Sequence, residues 1–291
     1  GTLSAAAGVF IDATGDADLA WHSGVPFEVG REGDGKVQPM TAVFHVAGVE
    51  ASRLPSRREM SEIYREACAR EEIEKIEGVN GIGGMWPTPR KGVYVFNTSH
   101  VFDLSGVDVR DLSGAEIQGR RQVRKIVEVL RKLVPGFKNA WLSKMGVKIG
   151  VRETRRIKGR YVLTAEDVLK GRNFHDGIAR GAFEIDIHSP DDEGTRNVVL
   201  DKGVFYEIPY RCLLPAEGPS NLLVACRALS ATHEAHGSLR IMPTLSSVGE
   251  AAGIAAARAS GNENDVAAVD AKKLKSHLLE EDIMGTVPKE G

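Results

Sequence analysis

The chain alternates short apolar runs with longer amphipathic stretches. Residues 9–11 form an apolar run that leads into small and acidic residues at 12–16, which predicts a buried strand ending in a tight turn. Residues 221–226 form a longer apolar run, typical of a strand covered on both faces. Residues 183–188 alternate with a period of two and predict a half-buried strand, with residues 204–208 as its expected partner.

Capping and turn signals predict further elements. Capping boxes, in which the first and fourth side chains bond the free amides of a helix start, predict helices that begin after Ser56, Ser113 and Thr164. Apolar residues at near-helical spacing follow Ser113 and end at a Pro-Gly pair. Residues 25–47 are predicted to form a β-hairpin that turns at the glycines of residues 33–35.

Small residues dominate the last third of the chain. Pro243 and Thr244 begin a predicted helix that contains Gly249 and many alanines. Small side chains allow such a helix to lie close to a sheet or a cofactor. A polar stretch at residues 259–264 separates this helix from a final one near residues 271–281.

Composition describes an ordinary globular protein. The 291 residues are 42% hydrophobic and 27% charged, which excludes disordered, collagenous and coiled-coil classes. The net charge of −2 favours neither a nucleic-acid partner nor a membrane surface, and no apolar run approaches the roughly 20 residues that span a bilayer. Cys68, Cys212 and Cys226 form no paired or zinc-like pattern, so we expect a reducing, cytoplasmic location.

The acidic turn after the first strand is one candidate for chemistry. The carboxyl end of a strand in an open α/β sheet faces the ligand crevice. Residues 12–16 would then lie beside a ligand. The alternative interpretation is an ordinary strand end with a capped turn.

A second candidate is the arginine-rich segment 150–156, which holds three arginines and one glutamate. The planar guanidinium suits carboxylate or phosphate. In an extended strand, Arg152 and Thr154 would share one face and Glu153 and Arg155 the other. One face could then contact a substrate while salt bridges hold the other. The alternative is a solvated basic edge strand.

A third candidate is segment 230–244, with two histidines, a glutamate, an arginine and several hydroxyls. His233 and His236 are candidate proton-transfer groups because histidine titrates near neutral pH. No HExxH sequence or surrounding ligand set is present, so no metal site is predicted. The helix that begins at Pro243 offers unpaired N–H groups to negative charge.

Three motifs together resemble one family. Residues 12–20, 150–156 and 230–253 are similar, in order, to the matching motifs of FAD-dependent oxidoreductases with a glutathione-reductase-like architecture. Many members of this family are labelled dehydrogenases or xanthan lyases. The resemblance covers nearly all of the chain, and it implies hydride transfer between FAD and a small organic substrate.

The resemblance also implies a domain division. It indicates an α/β fold with an α+β insertion. Residues 1–20 and 208–260 would form an incomplete, Rossmann-like FAD-binding domain, and residues 21–207 a substrate domain with a mixed sheet. Residues 261–291 would form a C-terminal helix and tail.

Site residues follow from the matched positions. The positions that match parts of the family close to the flavin are Asp12, Gly15, Asp16, Arg240, Pro243, Thr244 and Gly249. The resemblance implies that Arg152 and Arg155 orient an anionic or polar substrate and that His233 or His236 transfers a proton. The helix that begins near Thr244 would stabilise the reduced flavin.

The chain departs from the family in one respect, because it contains no G-x-G-x-x-G motif. That motif binds the FAD pyrophosphate, so the resemblance does not extend to FAD binding by this chain alone. We expect a fragment, a truncated gene, or a second polypeptide that supplies the missing part. The alternative functions are a flavin-free binding module and one subunit of a split flavoprotein. An incomplete sheet leaves an exposed edge, which predicts a homo-oligomer or an N-terminal partner chain.

Overall fold

A computed structural model describes residues 4–192 and 194–284. Contacts divide the chain into two compact units. The first unit comprises residues 1–36, 153–187 and 196–291, and the second comprises residues 37–152 and 188–195. The sequence-based division instead placed residues 153–187 in the substrate domain. Compactness does not reveal which ligand a unit binds, so the division into flavin and substrate domains stays a prediction.

The helices and strands are short, except for two helices. The helices are α1 (Asp18–His22), α2 (Arg57–Ala69), α3 (Val109–Leu133), α4 (Ala165–Leu169), α5 (His233–Leu239), α6 (Met242–Ser260) and α7 (Ala271–Glu280). The strands are β1 (Phe10–Asp12), β2 (Phe27–Val29), β3 (Phe44–Ala47), β4 (Met85–Pro87), β5 (Tyr94–Phe96), β6 (Trp141–Met145), β7 (Arg155–Ile157), β8 (Gly177–Gly181), β9 (Ile185–His188), β10 (Thr195–Val198), β11 (Tyr206–Pro209) and β12 (Leu222–Val224). No helix among the described residues is both long and apolar enough to cross a membrane.

In the first unit, the two strands predicted from the apolar runs are present and pair in parallel with each other. Strand β1 pairs with β12 over three residues, and β12 is buried throughout. The small residues of α6 explain how that helix packs so closely. Ala251, Ala252 and Ala255 are buried in one cluster with Leu223 of β12. Each alanine needs little space, so the helix lies directly against its neighbours in the core.

The second unit is built on a four-stranded sheet in the order β4-β5-β3-β6. Each neighbouring pair in this sheet is antiparallel, so the prediction of a mixed sheet is wrong here. A tight turn joins β4 to β5, a connection that only antiparallel neighbours allow. Phe44 stacks on Phe96 with ring centroids 5.0 Å apart, and Phe137 meets Phe96 edge-on at 5.9 Å. These rings form the centre of the core.

The predicted hairpin at residues 25–47 is wrong. Strand β2 pairs with β7, whereas β3 pairs with β5 and β6. The turn at residues 33–35 is real but closes only a local loop, in which Arg31 donates to Asp34.

Similarly, residues 204–208 do not pair with β9. Strand β11 pairs with β8, and β9 pairs with β10. In both regions the strands pair with partners that are distant in the sequence or not the expected ones. A turn signal does not indicate which strands will pair.

Two of the three capping boxes are confirmed. Ser56 and Thr164 each accept a hydrogen bond from the amide three residues later, and the reciprocal acidic side chain is in place. The box at Ser113 is wrong because α3 begins at Val109, where Asp108 caps the first turn. The Ser113 hydroxyl instead donates to the carbonyl of Val109 inside the helix at 2.8 Å, a bond that serine often makes within helices.

Candidate functional site

The acidic turn after β1 is shaped by its own first carboxylate. The buried Asp12 side chain accepts from the Thr14 amide at 3.0 Å and the Thr14 hydroxyl at 2.7 Å. Its second oxygen accepts from the Ala20 amide at 2.8 Å, inside α1. Asp12 therefore ties the strand end to the following helix, as aspartate commonly does in turns.

Gly15 and Asp16 bring a distant arginine to this turn. Gly15 has φ +92°, and a Cβ added there would lie 2.9 Å from Nη1 of Arg227. Only glycine adopts this backbone conformation easily and leaves room for the guanidinium. Arg227 Nη2 bonds Asp16 Oδ1 at 2.5 Å. Arg227 is not among the site residues predicted from the sequence, and no local motif marks it.

Arg155, predicted to orient substrate, contacts the same turn. Its Nη1 donates to the Asp16 carbonyl at 3.0 Å and to Asp18 Oδ1 at 2.7 Å. Its guanidinium carbon lies 4.6 Å from the ring centroid of Trp21. Thr154 donates its hydroxyl proton to Asp16 Oδ1 at 2.6 Å. The described contacts of Arg155 thus hold the acidic turn in place.

Arg152 lies in the second unit. Its Nη1 donates to the Pro39 carbonyl at 2.6 Å, and its Nη2 donates to Asn97 Oδ1 at 3.1 Å. The side chain is buried. These contacts stabilise the start of the second unit, and its predicted role in orienting substrate stays a prediction.

Glu153, Arg156 and His233 form a buried polar cluster. Arg156 donates to Glu153 Oε1, and the same oxygen lies 2.9 Å from His233 Nδ1. The Glu153 side chain has no exposed surface. Arg156 also donates to the carbonyls of Ala231 at 2.9 Å and Gly30 at 2.7 Å. The carboxylate is thus held by the arginine and orients the imidazole, an arrangement typical of histidines that move protons.

The predicted sharing of faces in this segment is wrong. Thr154 and Arg155 are adjacent, yet both contact Asp16, while Glu153 contacts Arg156. Strict alternation requires an extended strand, and β7 begins only at Arg155. The residues before it follow an irregular path, so the period of two does not apply.

His236 differs from His233 in its surroundings. It is only 1% exposed, and its Nδ1 has no hydrogen-bond partner among the described residues. Burial, followed by the nearby positive charges of Arg240 and Arg156, holds the pKa of His236 well below its usual value. The imidazole is therefore neutral near pH 7, which disfavours it as a proton donor in catalysis.

Arg240, in the third motif, contacts strand β9. It donates to the Asp186 carbonyl at 3.2 Å. Burial lowers the pKa of Arg240. The nearby negative charges of Asp186 and Glu153 oppose this shift, whereas the positive charge of Arg227 adds to it.

The first turn of α6 has no side-chain cap. Ile241 precedes the helix and provides no side-chain cap, and Pro243 occupies the first turn. Thr244 is buried, whereas Gly249 is exposed. A Cβ added at Gly249 would meet no described heavy atom within 4 Å. This helix face therefore has space beside it.

A cavity of about 570 Å³ lies in the first unit beside His233. Its lining residues are Glu28, Val29, Gly30, Arg31, Glu32, Gly33, Gly35, Arg156, Val162, Thr232, His233 and Glu234. The volume falls within the range of small-molecule sites. None of the residues predicted to contact flavin is among these lining residues. No group of three or more histidine, cysteine, aspartate or glutamate residues in the described part of the chain could hold a metal ion.

The family of the chain follows from comparison with known proteins. The family model described as FAD dependent oxidoreductase matches residues 1–278. The match covers most of the chain, which therefore belongs to this family and has FAD as the cofactor of its class. Searches of curated proteins and of solved structures found no match.

The residues present fit a flavin in three respects. The uncapped start of α6 leaves amide donors for an anionic oxygen. Nε of Arg227 is buried and has no hydrogen-bond partner among the described residues. Gly249 is exposed and an added Cβ would meet no described atom within 4 Å, so the helix surface is accessible to a flat ring there. These residues lie on the turn and the helix that are predicted to contact the cofactor, whereas the G-x-G-x-x-G pyrophosphate motif is not part of this sequence.

Proposed function

We propose that this protein transfers a hydride between a small organic substrate and FAD. The supporting observation is the geometry of the acidic turn, where Gly15 and Asp16 match flavin-contacting positions of the family and Asp16 is held by Arg227, Thr154 and Arg155. Arg227, which lies 211 residues from Asp16 along the chain, bonds its carboxylate there. FAD, when bound, accepts or donates the hydride.

The acidic turn and the start of α6 would hold the cofactor. Gly15 allows close approach of the backbone, and Asp16 is fixed by Arg227 and Thr154. At the helix, Pro243 and Thr244 open a first turn whose amides favour negative charge. Gly249 leaves room beside the helix. Asp12 would support the cofactor site only by holding the turn, because its carboxylate already accepts hydrogen bonds from the Thr14 and Ala20 amides.

His233 is the better supported proton-transfer residue. Glu153 orients its imidazole, and the side chain lines a cavity large enough for a substrate. His236 is buried and neutral instead. Arg155 would act mainly by holding the turn, since its described bonds go to Asp16 and Asp18. Substrate binding by Arg152 and Arg155 remains part of the proposal.

FAD titration of variants at Gly249 tests the cofactor site. Gly249→Leu should fold normally, because no described atom lies within 4 Å of an added Cβ and leucine favours helix over glycine. The larger side chain should fill the space beside α6 and weaken FAD binding by about tenfold or more, measured by flavin fluorescence. Ala257→Leu, at another exposed position of the same helix, is the matched control and should bind FAD like wild type.

The same titration separates the alternatives. A wild-type chain that binds no FAD, alone or with co-purified chains, would identify a flavin-free module and contradict the proposal. Binding that appears only with a second chain would identify a subunit of a split flavoprotein. Equal FAD affinity for Gly249→Leu and wild type would show that the cofactor does not lie against α6.

A further inference from the structure

His233 lines the cavity, and a buried carboxylate holds one of its two ring nitrogens. Nδ1 of His233 lies 2.9 Å from a carboxylate oxygen of Glu153. A carboxylate only accepts hydrogen bonds, so we assign the imidazole proton to Nδ1. Nε2 then presents its lone pair, and no hydrogen bond to it is described in residues 4–192 and 194–284. The His233 side chain lines the cavity.

The two arginines of the cavity wall are already engaged by acids. Arg31 Nη2 bonds Asp34 Oδ2 at 2.6 Å. Arg156 bonds Glu153 and two main-chain carbonyls. Both guanidinium charges are therefore balanced by carboxylates of the chain itself. An anionic ligand would have to compete with these bonds.

The acids of the cavity wall are balanced less completely. Glu28 lies 3.4 Å from the Lys158 ammonium. Glu32 and Glu234 are exposed side chains at the cavity, and no ion pair of either is described within the part of the chain that the structure covers. The charged groups around the cavity therefore carry a net negative charge. Such a site attracts cations and repels carboxylates.

We propose that this cavity binds a small molecule with a protonated amine. Glu32 and Glu234 attract the ammonium group, and one of its N–H groups donates to His233 Nε2. The N–H bond then breaks, the proton binds Nε2, and the electron pair stays on the amine nitrogen. Glu153 is a positioning residue that keeps the Nδ1 proton in place. The inference deepens the proposed function, because a neutral amine is the form that can lose a hydride.

Binding of three matched probes tests this directly. Butylamine, butanol and butyrate have nearly the same size but are cationic, neutral and anionic at pH 7. Their affinities for the full chain are measured by ligand-observed NMR. Butylamine should bind at least about tenfold more tightly than butanol, which corresponds to one effective ion pair, and butyrate should bind most weakly. Butyrate binding as tightly as butylamine would overturn the proposal.

Variants locate the binding within the cavity. Glu32→Gln and Glu234→Gln should each weaken butylamine binding by about threefold, as expected for exposed charge pairs, and should leave butanol binding unchanged. Glu280→Gln, an exposed glutamate at the end of α7, is the matched control and should have no effect. His233→Gln should weaken butylamine binding as well. Full affinity in all three cavity variants would overturn the proposal.

The probes also distinguish this inference from the proposed oxidoreductase activity. Binding is measured without turnover, so a chain that binds butylamine selectively but reduces no FAD contradicts the proposed function alone. A chain that reduces FAD with other substrates but binds butylamine no better than butanol overturns the cavity proposal alone.

Discussion

Asp12 and Glu153 are both buried carboxylates of the first unit, but their partners come from different distances along the chain. Asp12 bonds Thr14 and Ala20, two and eight residues away. Glu153 bonds Arg156, three residues away, and His233, which is 80 residues away. One carboxylate shapes a local turn, whereas the other holds two distant segments together.

This difference shows which buried carboxylates can be assigned a structural role from the sequence alone. A local turn leaves a compact motif, and the Asp12 motif was visible from the sequence. The pairing of Glu153 with His233 leaves no such trace, since the two residues belong to separate motifs and neither motif indicates that they meet. The same holds for Arg227, which reaches Asp16 over 211 residues. Three variants or titrations sharpen this comparison.

The largest effect is expected at Glu153. Glu153→Gln removes the negative charge that balances buried Arg156, and breaking a buried ion pair costs about 3–5 kcal/mol. The free energy of unfolding, measured by urea denaturation, should fall by that amount. Glu166→Gln, whose side chain pairs with Lys170 in solvent, is the control and should leave stability unchanged. If the two variants were equally stable, the buried pair of Glu153 and Arg156 would not stabilise the fold as expected.

A smaller loss is expected at Asp12. Asp12→Ala leaves the buried amide of Ala20 without its acceptor, and an unsatisfied buried donor costs about 1–3 kcal/mol. The same urea experiment measures the change. Asp201→Ala, in an exposed turn, is the matched control, since no side-chain bond of Asp201 is described in this part of the chain. A loss as large as that of Glu153→Gln would remove the distinction between local and long-range carboxylates.

The smallest effect is expected at a third carboxylate, Asp167, whose partner Tyr161 is only six residues away, as the partners of Asp12 are also close in sequence. Burial, and then the hydrogen bond to Asp167, raise the pKa of Tyr161 to about 12. A raised pKa stabilises the folded protein below the ordinary tyrosine pKa near 10, and this stabilisation is lost as the pH rises towards 12. A tyrosinate absorbance titration, with Tyr161→Phe to assign the signal, should show ionisation near pH 12. Titration near pH 10 would contradict the described bond.

Much of the secondary structure was predictable because its causes are local. The caps at Ser56 and Thr164, the strand before Asp12 and the small-residue helix after Pro243 are each set by a few adjacent residues. Strand pairing was not predictable. The expected hairpin failed because β2 and β3 each found partners far along the chain. Hydrophobic alternation identifies a strand but not its neighbour.

The sequence by itself determined the family, the acidic turn and the small-residue helix after Pro243, because these depend on motifs of contiguous residues. Tertiary structure decided which polar groups meet. It assigned Arg155 and Arg227 to the turn, buried His236 as a neutral group, and placed His233 with Glu153 beside a cavity. Burial and the proximity of distant charges set these properties, and both arise only when the chain is folded.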